Sequence, residues 1–189
     1  YLEKKGFPPI EIKSKKLKSK KLSVSGKISS QFISALLMIA PRIENGVALE
    51  ITSEVLSKPY IDMTLNLMSK FGIKYIWENN LIKIKEQSYL AKNIEVENDW
   101  SAASFWYSFL SLSKSGKIKI PNLYANSIQG DSIVSSIYSE LGIKTEFNEN
   151  SIILSKTKNI AKEIELDLSN YPDLGLPIIV TCAGHGIKA

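Results

Sequence analysis

The tetrapeptide Phe71-Gly72-Ile73-Lys74 recurs as Leu141-Gly142-Ile143-Lys144, seventy residues further along the chain. In both places an apolar residue ends a helical pattern, glycine stands where helices close, and an alternating stretch follows. Upstream of the first copy, Ile61, Leu65, Met68 and Phe71 fall at helical spacing, and Pro59 suits the first turn. Downstream, residues 73–77 and 81–84 read as a hairpin about Glu78-Asn79-Asn80. Before this helix lie a strand at residues 22–25, a helix opened by Ser29-Ser30-Gln31 and closed before Pro41, and a strand at 48–51. The order is βαβαββ. It repeats as a strand at 94–96, a helix from Ser101 to about Leu112, a strand at 116–120, a helix from about Ser127 to Leu141-Gly142, and a hairpin of 143–147 with 151–154. Ser57 and Ser127 keep the seventy-residue spacing. A third copy starts with a strand at 164–168, then Tyr171-Pro172-Asp173 and an apolar helix from Leu174 to Ala183. Two full units and part of a third predict an α/β protein that is a fragment of something longer.

A βαβαββ unit leaves an apolar helix stripe uncovered, so units must stack to make a core. Each first helix opens with polar residues: Ser29-Ser30-Gln31, Asp99-Trp100-Ser101 and Pro172-Asp173. If like ends align, these starts share one surface. Unpaired backbone N–H groups and the helix dipole make such a start receptive to an anion. The alternative reading of Ser29 or Ser30 is a plain N-cap. Gly26 is expected to turn the chain out of the preceding strand. Phe32, Ala35, Leu36 and Ile39 are expected to form the buried face of the Ser-Ser-Gln helix. Near the start of the chain, Ile10 and Ile12 alternate with charged residues as in a half-exposed strand.

Composition narrows the function classes. The net charge is +5, yet only Arg42 among the 24 basic residues is arginine. Nucleic-acid readers lean on arginine and on interleaved aromatics, and the lysine-rich run at 13–21 has neither. It reads as a solvated loop or edge strand; a noncatalytic basic nucleic-acid-binding module is the rival reading. No apolar run approaches the ~20 residues of a membrane span, and Tyr1-Leu2-Glu3-Lys4-Lys5 has no signal-peptide core. One cysteine, Cys182, forbids an internal disulfide and fits a reducing cytoplasm as a buried thiol. No paired Cys/His spacing suggests zinc, and His185 in Ala183-Gly184-His185-Gly186 reads as a surface turn.

Several motifs in order resemble the family of 5-enolpyruvylshikimate-3-phosphate (EPSP) synthase, 3-phosphoshikimate 1-carboxyvinyltransferase. They are Gly26 with Ser29-Ser30-Gln31-Phe32, residues 35–38, Ser57-Lys58-Pro59-Tyr60-Ile61-Asp62-Met63-Thr64, Asp99-Trp100-Ser101-Ala102-Ala103-Ser104, Gln129-Gly130-Asp131 and Pro172-Asp173. The likeness spans essentially the whole chain. It implies an inside-out α/β barrel built from βαβαββ units, with residues 1–92 ending a first domain and 93–189 opening a second. It implies transfer of the enolpyruvyl group from phosphoenolpyruvate to the 5-hydroxyl of shikimate 3-phosphate, releasing phosphate, in chorismate and aromatic amino-acid biosynthesis. The family needs no metal or organic cofactor and is the target of glyphosate.

By resemblance, Ser29, Ser30 and Ser57 bind the 3-phosphate. Gln31 lies between shikimate 3-phosphate and phosphoenolpyruvate. Tyr60 lies against the shikimate ring, and Asp173 binds its hydroxyls and takes the proton of the attacking 5-hydroxyl. Without the family, Ser57 reads as an N-cap, Tyr60 as core and Asp173 as a helix-start carboxylate. The family's basic opening motif and phosphoenolpyruvate-binding arginine have no match here, nor do its later lysine-glutamate pair and basic residues; Arg42 matches none of them. Asn98 replaces the glycine common before the Asp99 position. The chain alone is therefore expected to lack turnover and to self-associate, and the full-length protein to be a monomer. UDP-N-acetylglucosamine 1-carboxyvinyltransferase, a sister family with the same repeat, is the enzymatic alternative.

Overall fold

A computed structural model of the chain describes residues 1–13, 15–18 and 21–189. Two apolar cores, one drawn from residues 33–84 and one from 100–187, share no residue. In the first half, β1 (Lys21–Val24) runs parallel to β2 (Val47–Ile51), β2 pairs antiparallel with β4 (Leu81–Ile84), and β4 with β3 (Tyr75–Glu78). Val47, Leu49 and Ile51 point to the core and alternate with less buried neighbours, the period-two pattern of a strand covered on one side. α1 (Ser30–Ile39) and α2 (Lys58–Lys70) pack on each other and complete that core through Ile33, Leu37, Ile61, Leu65 and Met68. Burying each of these side chains contributes about 1.5–3 kcal/mol.

The second half repeats the arrangement. β5 (Lys117–Pro121), β7 (Ser151–Ile160) and β6 (Leu141–Asn148) pair antiparallel in the order β5-β7-β6, matching β2-β4-β3. Against them lie α3 (Trp100–Leu112) and a short α4 (Val134–Ile137), and α5 (Gly175–His185) packs on α3. The recurring tetrapeptide folds the same way twice. Gly72 and Gly142 both have φ +85°, a left-handed conformation that glycine adopts without steric cost. The next residue's N–H then reaches back five positions, Ile73 to Met68 O at 3.1 Å and Ile143 to Tyr138 O at 2.9 Å. This is the closing bond of a Schellman motif.

Six expectations fail, each for a physical reason. The buried face of α1 is Ile33 and Leu37, continued by Ala40; Phe32 and Ile39 are exposed. That helix is apolar nearly all round, so periodicity cannot choose its inward face, and packing against α2 does. Residues 10 and 12 form no strand, since no ladder partner meets them, and Ile12 is 85% exposed. Residues 94–96 are also irregular: point contacts from Asn122, whose Nδ2 donates to Val96 O and whose carbonyl accepts from Asn98 N, replace a ladder. The second half therefore has no counterpart of β1. Residues 164–168 are irregular too, held by Ile164 N donating to Lys188 O. The second helix of the second unit is only a 3-10 turn (Gly130–Ile133) and α4. His185 is no surface turn; it ends α5, half-buried, with Nε2 2.9 Å from Ser111 Oγ.

α3 turns small residues inward. Ser104, Ser108 and Ser111 are buried, and Thr181 of α5 donates to Ser108 Oγ at 2.8 Å. Phe105, Trp106, Phe109 and Leu112 face outward, beside exposed Leu176, Ile179 and Val180 on α5. Cys182 is buried and free. Within the lysine-rich run, Lys16 and Lys21 each lie 3.0 Å from a glutamate, Glu44 and Glu50. Ser14, Ser19 and Lys20 of that run lie outside the described residues. Among the described residues no helix is long and apolar enough to cross a membrane.

Candidate active-site cleft

The loop after β2 is drawn against the end of β1. Thr52 N donates to Val24 O at 2.9 Å, and Leu56 N to Gly26 O at 3.2 Å. Gly26 stands in the turn expected after β1, closed by Ile28 N donating to Ser25 O at 3.2 Å, and a Cβ on it would fall 2.3 Å from Glu54 O, so it also serves close approach. The loop carries Ser57 to the start of α1. Ser29 is the N-cap of that helix, but its Oγ accepts from Gln31 N at a long 3.4 Å, which leaves the hydroxyl loosely engaged. Ser57 stands at the N-cap position of α2 and makes no side-chain cap bond. Its backbone is left-handed, with φ 56° and ψ 36°. Such a conformation is uncommon for a residue with a Cβ and tends to gather at functional sites.

The second half closes the other side. Ser57 N donates to Ser169 O at 3.2 Å. Pro172 and Asp173 open a 3-10 turn (Pro172–Leu174) that leads into α5. Between the halves lies a cavity of about 280 Å³ lined by Lys27, Ser29, Ser30, Gln31, Ser57, Tyr60 and Asp173, among others. All six candidate residues read from the sequence thus line one cleft, although they come from three separated stretches. A neighbouring cavity of about 310 Å³ shares Tyr60 and Asp173 and adds Asp99, Ser101 and Asp131.

Tyr60 links the two cavities. Its hydroxyl donates to Asp131, 3.1 Å from Oδ1 and 3.2 Å from Oδ2. Partial burial, then the carboxylates of Asp131 and Asp173, push its pKa far above the usual phenol value. It is therefore a neutral donor at any physiological pH. Asp131 is 2% exposed and also accepts from Ser101 Oγ at 2.5 Å. Burial raises its pKa, against the lowering effect of the Ser101 and Tyr60 hydroxyls, while Asp173 and Asp99 raise it further. Asp99 caps α3, with Oδ1 accepting from Ser101 N at 2.7 Å and Ala102 N at 3.1 Å.

Sequence reasoning missed Lys27, Ser101 and Asp131 as cleft residues. Asp131 belongs to a motif legible in the sequence, Gln129-Gly130-Asp131, but its contact with Tyr60 exists only across the junction. Lys27 is a cation at the anion-receptive start of α1. Arg42 lies elsewhere, with Nη1 donating to Ser88 Oγ at 3.2 Å. No cluster of three His, Cys, Asp or Glu suited to a metal occurs among the described residues.

The serines at the start of α1 and Ser57 thus face the Asp173 carboxylate across one cleft between two repeated α/β units. The family model of EPSP synthase (3-phosphoshikimate 1-carboxyvinyltransferase) matches residues 1–185, and the chain belongs to that family. It is 40% identical over 184 residues to the 3-phosphoshikimate 1-carboxyvinyltransferase of Bacteroides fragilis, covering 97% of this chain and 45% of that protein. Its identity to the enzyme of the same name from Haemophilus influenzae is 38% over 186 residues, covering 96% of this chain and 42% of that protein. The chain thus spans less than half the length of these curated relatives. A solved EPSP synthase from Acinetobacter baumannii superposes with TM-score 0.62 at 19% identity, covering 93% of this chain and 40% of that one, a likeness of fold.

Proposed function

We propose that the protein containing this chain transfers the enolpyruvyl group of phosphoenolpyruvate to the 5-hydroxyl of shikimate 3-phosphate, giving 5-enolpyruvylshikimate 3-phosphate and phosphate. The observation that carries this reading is the convergence of Ser29, Ser30, Gln31, Ser57, Tyr60 and Asp173 on one cleft. In it, the serine hydroxyls and the positive end of α1 receive the 3-phosphate, with Lys27 as a nearby cation. Tyr60 offers its ring face to the shikimate ring. Gln31 reaches both substrates. Asp173 binds the shikimate hydroxyls and takes the proton of the 5-hydroxyl as that oxygen attacks, because an alcohol is a weak nucleophile until a base removes its proton.

Residues 1–92 are the end of one domain and 93–189 the start of the next; two cores without a shared residue support this division. In the full-length protein, a monomer working in the cytoplasm without a cofactor, the units assemble into inside-out α/β barrels. The outward aromatic face of α3 and the apolar face of α5 support this, since in a barrel further units cover them. The test compares the full-length protein with this chain in an assay of phosphate release from phosphoenolpyruvate plus shikimate 3-phosphate. The full-length protein turns over and sediments as a monomer. The 189-residue chain gives no turnover and sediments as a self-associated species. Absence of turnover by the full-length protein would overturn the reading.

A further inference from the structure

Asp131 is a buried carboxylate whose partners are hydroxyls: Ser101 Oγ at 2.5 Å from its own half and the Tyr60 hydroxyl at 3.1 Å from the other. The start of α3 aims its positive end toward the same place, since Asp99 caps that helix and Ser101 stands in its first turn. The residue before Asp131 makes the approach possible. A Cβ on Gly130 would fall 2.4 Å from Pro59 Cβ and 3.3 Å from Tyr171 Cε1, so the first turn of α2 rests directly on a bare backbone. Pro59 and Tyr60 are therefore held by consecutive residues of the second half.

Tyr60 has one hydroxyl, and Asp131 takes it. The ring is then fixed at its far end, while its face borders the cleft beside Ser57 and Asp173. We infer that Asp131 is a positioning residue of the cleft: by accepting the Tyr60 hydroxyl across the junction, it sets the Tyr60 ring and the spacing between the serine side and the Asp173 side. This rests on the function proposed above, because it assigns Asp131 to the binding of the same phosphorylated ring. Asp131 acts through Tyr60 and takes no part in moving the proton.

The test is a double-mutant cycle in the full-length protein with Asp131→Ala and Tyr60→Phe. A hydrogen bond to a charged group supports a loss of about tenfold when either partner is removed. Each single variant raises KM for shikimate 3-phosphate about tenfold and changes kcat much less, and the double variant is no worse than either single one. Asp131→Asn keeps an acceptor for the tyrosine and restores most of the affinity. Multiplying losses in the double variant, a fall in kcat at unchanged KM, or an Asn variant no better than Ala would each overturn the role. Where Asp131→Ala fails to fold, Tyr60→Phe must by itself raise KM; an unchanged KM would overturn the role. If the wild type shows no turnover, the function proposed above fails instead. The same cycle read on the urea-unfolding constant then decides the contact, about tenfold coupling supporting it and additivity removing it.

Discussion

The second helices of the two repeats begin at corresponding places and meet at the junction, yet they are built in opposite ways. In the first unit, α2 starts with Lys58-Pro59-Tyr60 and runs for 13 residues. In the second, Gln129-Gly130-Asp131 enters a 3-10 turn, and the regular helix α4 covers only four residues. The ends of the two segments remain alike, with the same glycine conformation and the same closing bond. The difference teaches where a repeat is free to diverge. Closing a helix onto a hairpin is a local geometric demand, so both copies meet it with glycine. The starts touch each other at the junction, so one supplies bulk and a phenol, and the other supplies a bare backbone and a carboxylate.

The third repeat's start carries the proposed base, and its removal has the largest expected effect. Asp173→Ala in the full-length protein should lower kcat on the order of 10²–10⁴-fold and weaken shikimate 3-phosphate binding far less; steady-state kinetics with an independent binding measurement checks this. Normal turnover with lower affinity would leave Asp173 as a binding group only. Gly130→Ala attacks the contact between the facing starts. Its Cβ meets the ring of Pro59, which cannot swing aside, so urea unfolding should show a loss of about 1–3 kcal/mol. An unchanged midpoint would mean the halves part without cost.

Gly72→Ala and Gly142→Ala test the likeness rather than the difference. Both positions have φ +85°, so each substitution should cost about 1–2 kcal/mol, and the two losses should agree closely in the same unfolding experiment. The smallest effect concerns acidity. Burial, with Asp173 and Asp99, holds the folded-state pKa of Asp131 above its ordinary 3.8. A carboxyl with a raised folded pKa stabilises the fold below its unfolded value, and that contribution is lost as pH rises through the folded value. Asp131→Asn abolishes this dependence. Its stability relative to the wild type should therefore improve from acid to neutral pH, as urea midpoints across that range would reveal; a constant difference would mean Asp131 has no shifted titration.

The tetrapeptide at Gly72 and its copy at Gly142 made the repeat readable, because a left-handed glycine after an apolar helix is a local requirement. Helix starts were readable for the same reason: Asp99 and Pro59 act within a turn of their own positions. Strands were less legible. Residues 94–96 have the composition of a strand but find no ladder, and a strand exists only with a neighbour. The inward face of α1 was hidden because the helix is apolar on almost every side.

What the sequence by itself determined was the βαβαββ order of the first unit, the seventy-residue repeat of its closing glycine and hairpin, the family, and the residue types opening each helix. These depend on spacing and on interactions within a few residues. Only the tertiary structure decided that Ser57 sits strained beside Ser29 and Ser30, that Gly130 lies under Pro59, and that Asp131 takes the Tyr60 hydroxyl. Those contacts join residues as many as 71 positions apart, and their partners are fixed by how two cores dock, a property no local stretch of chain contains.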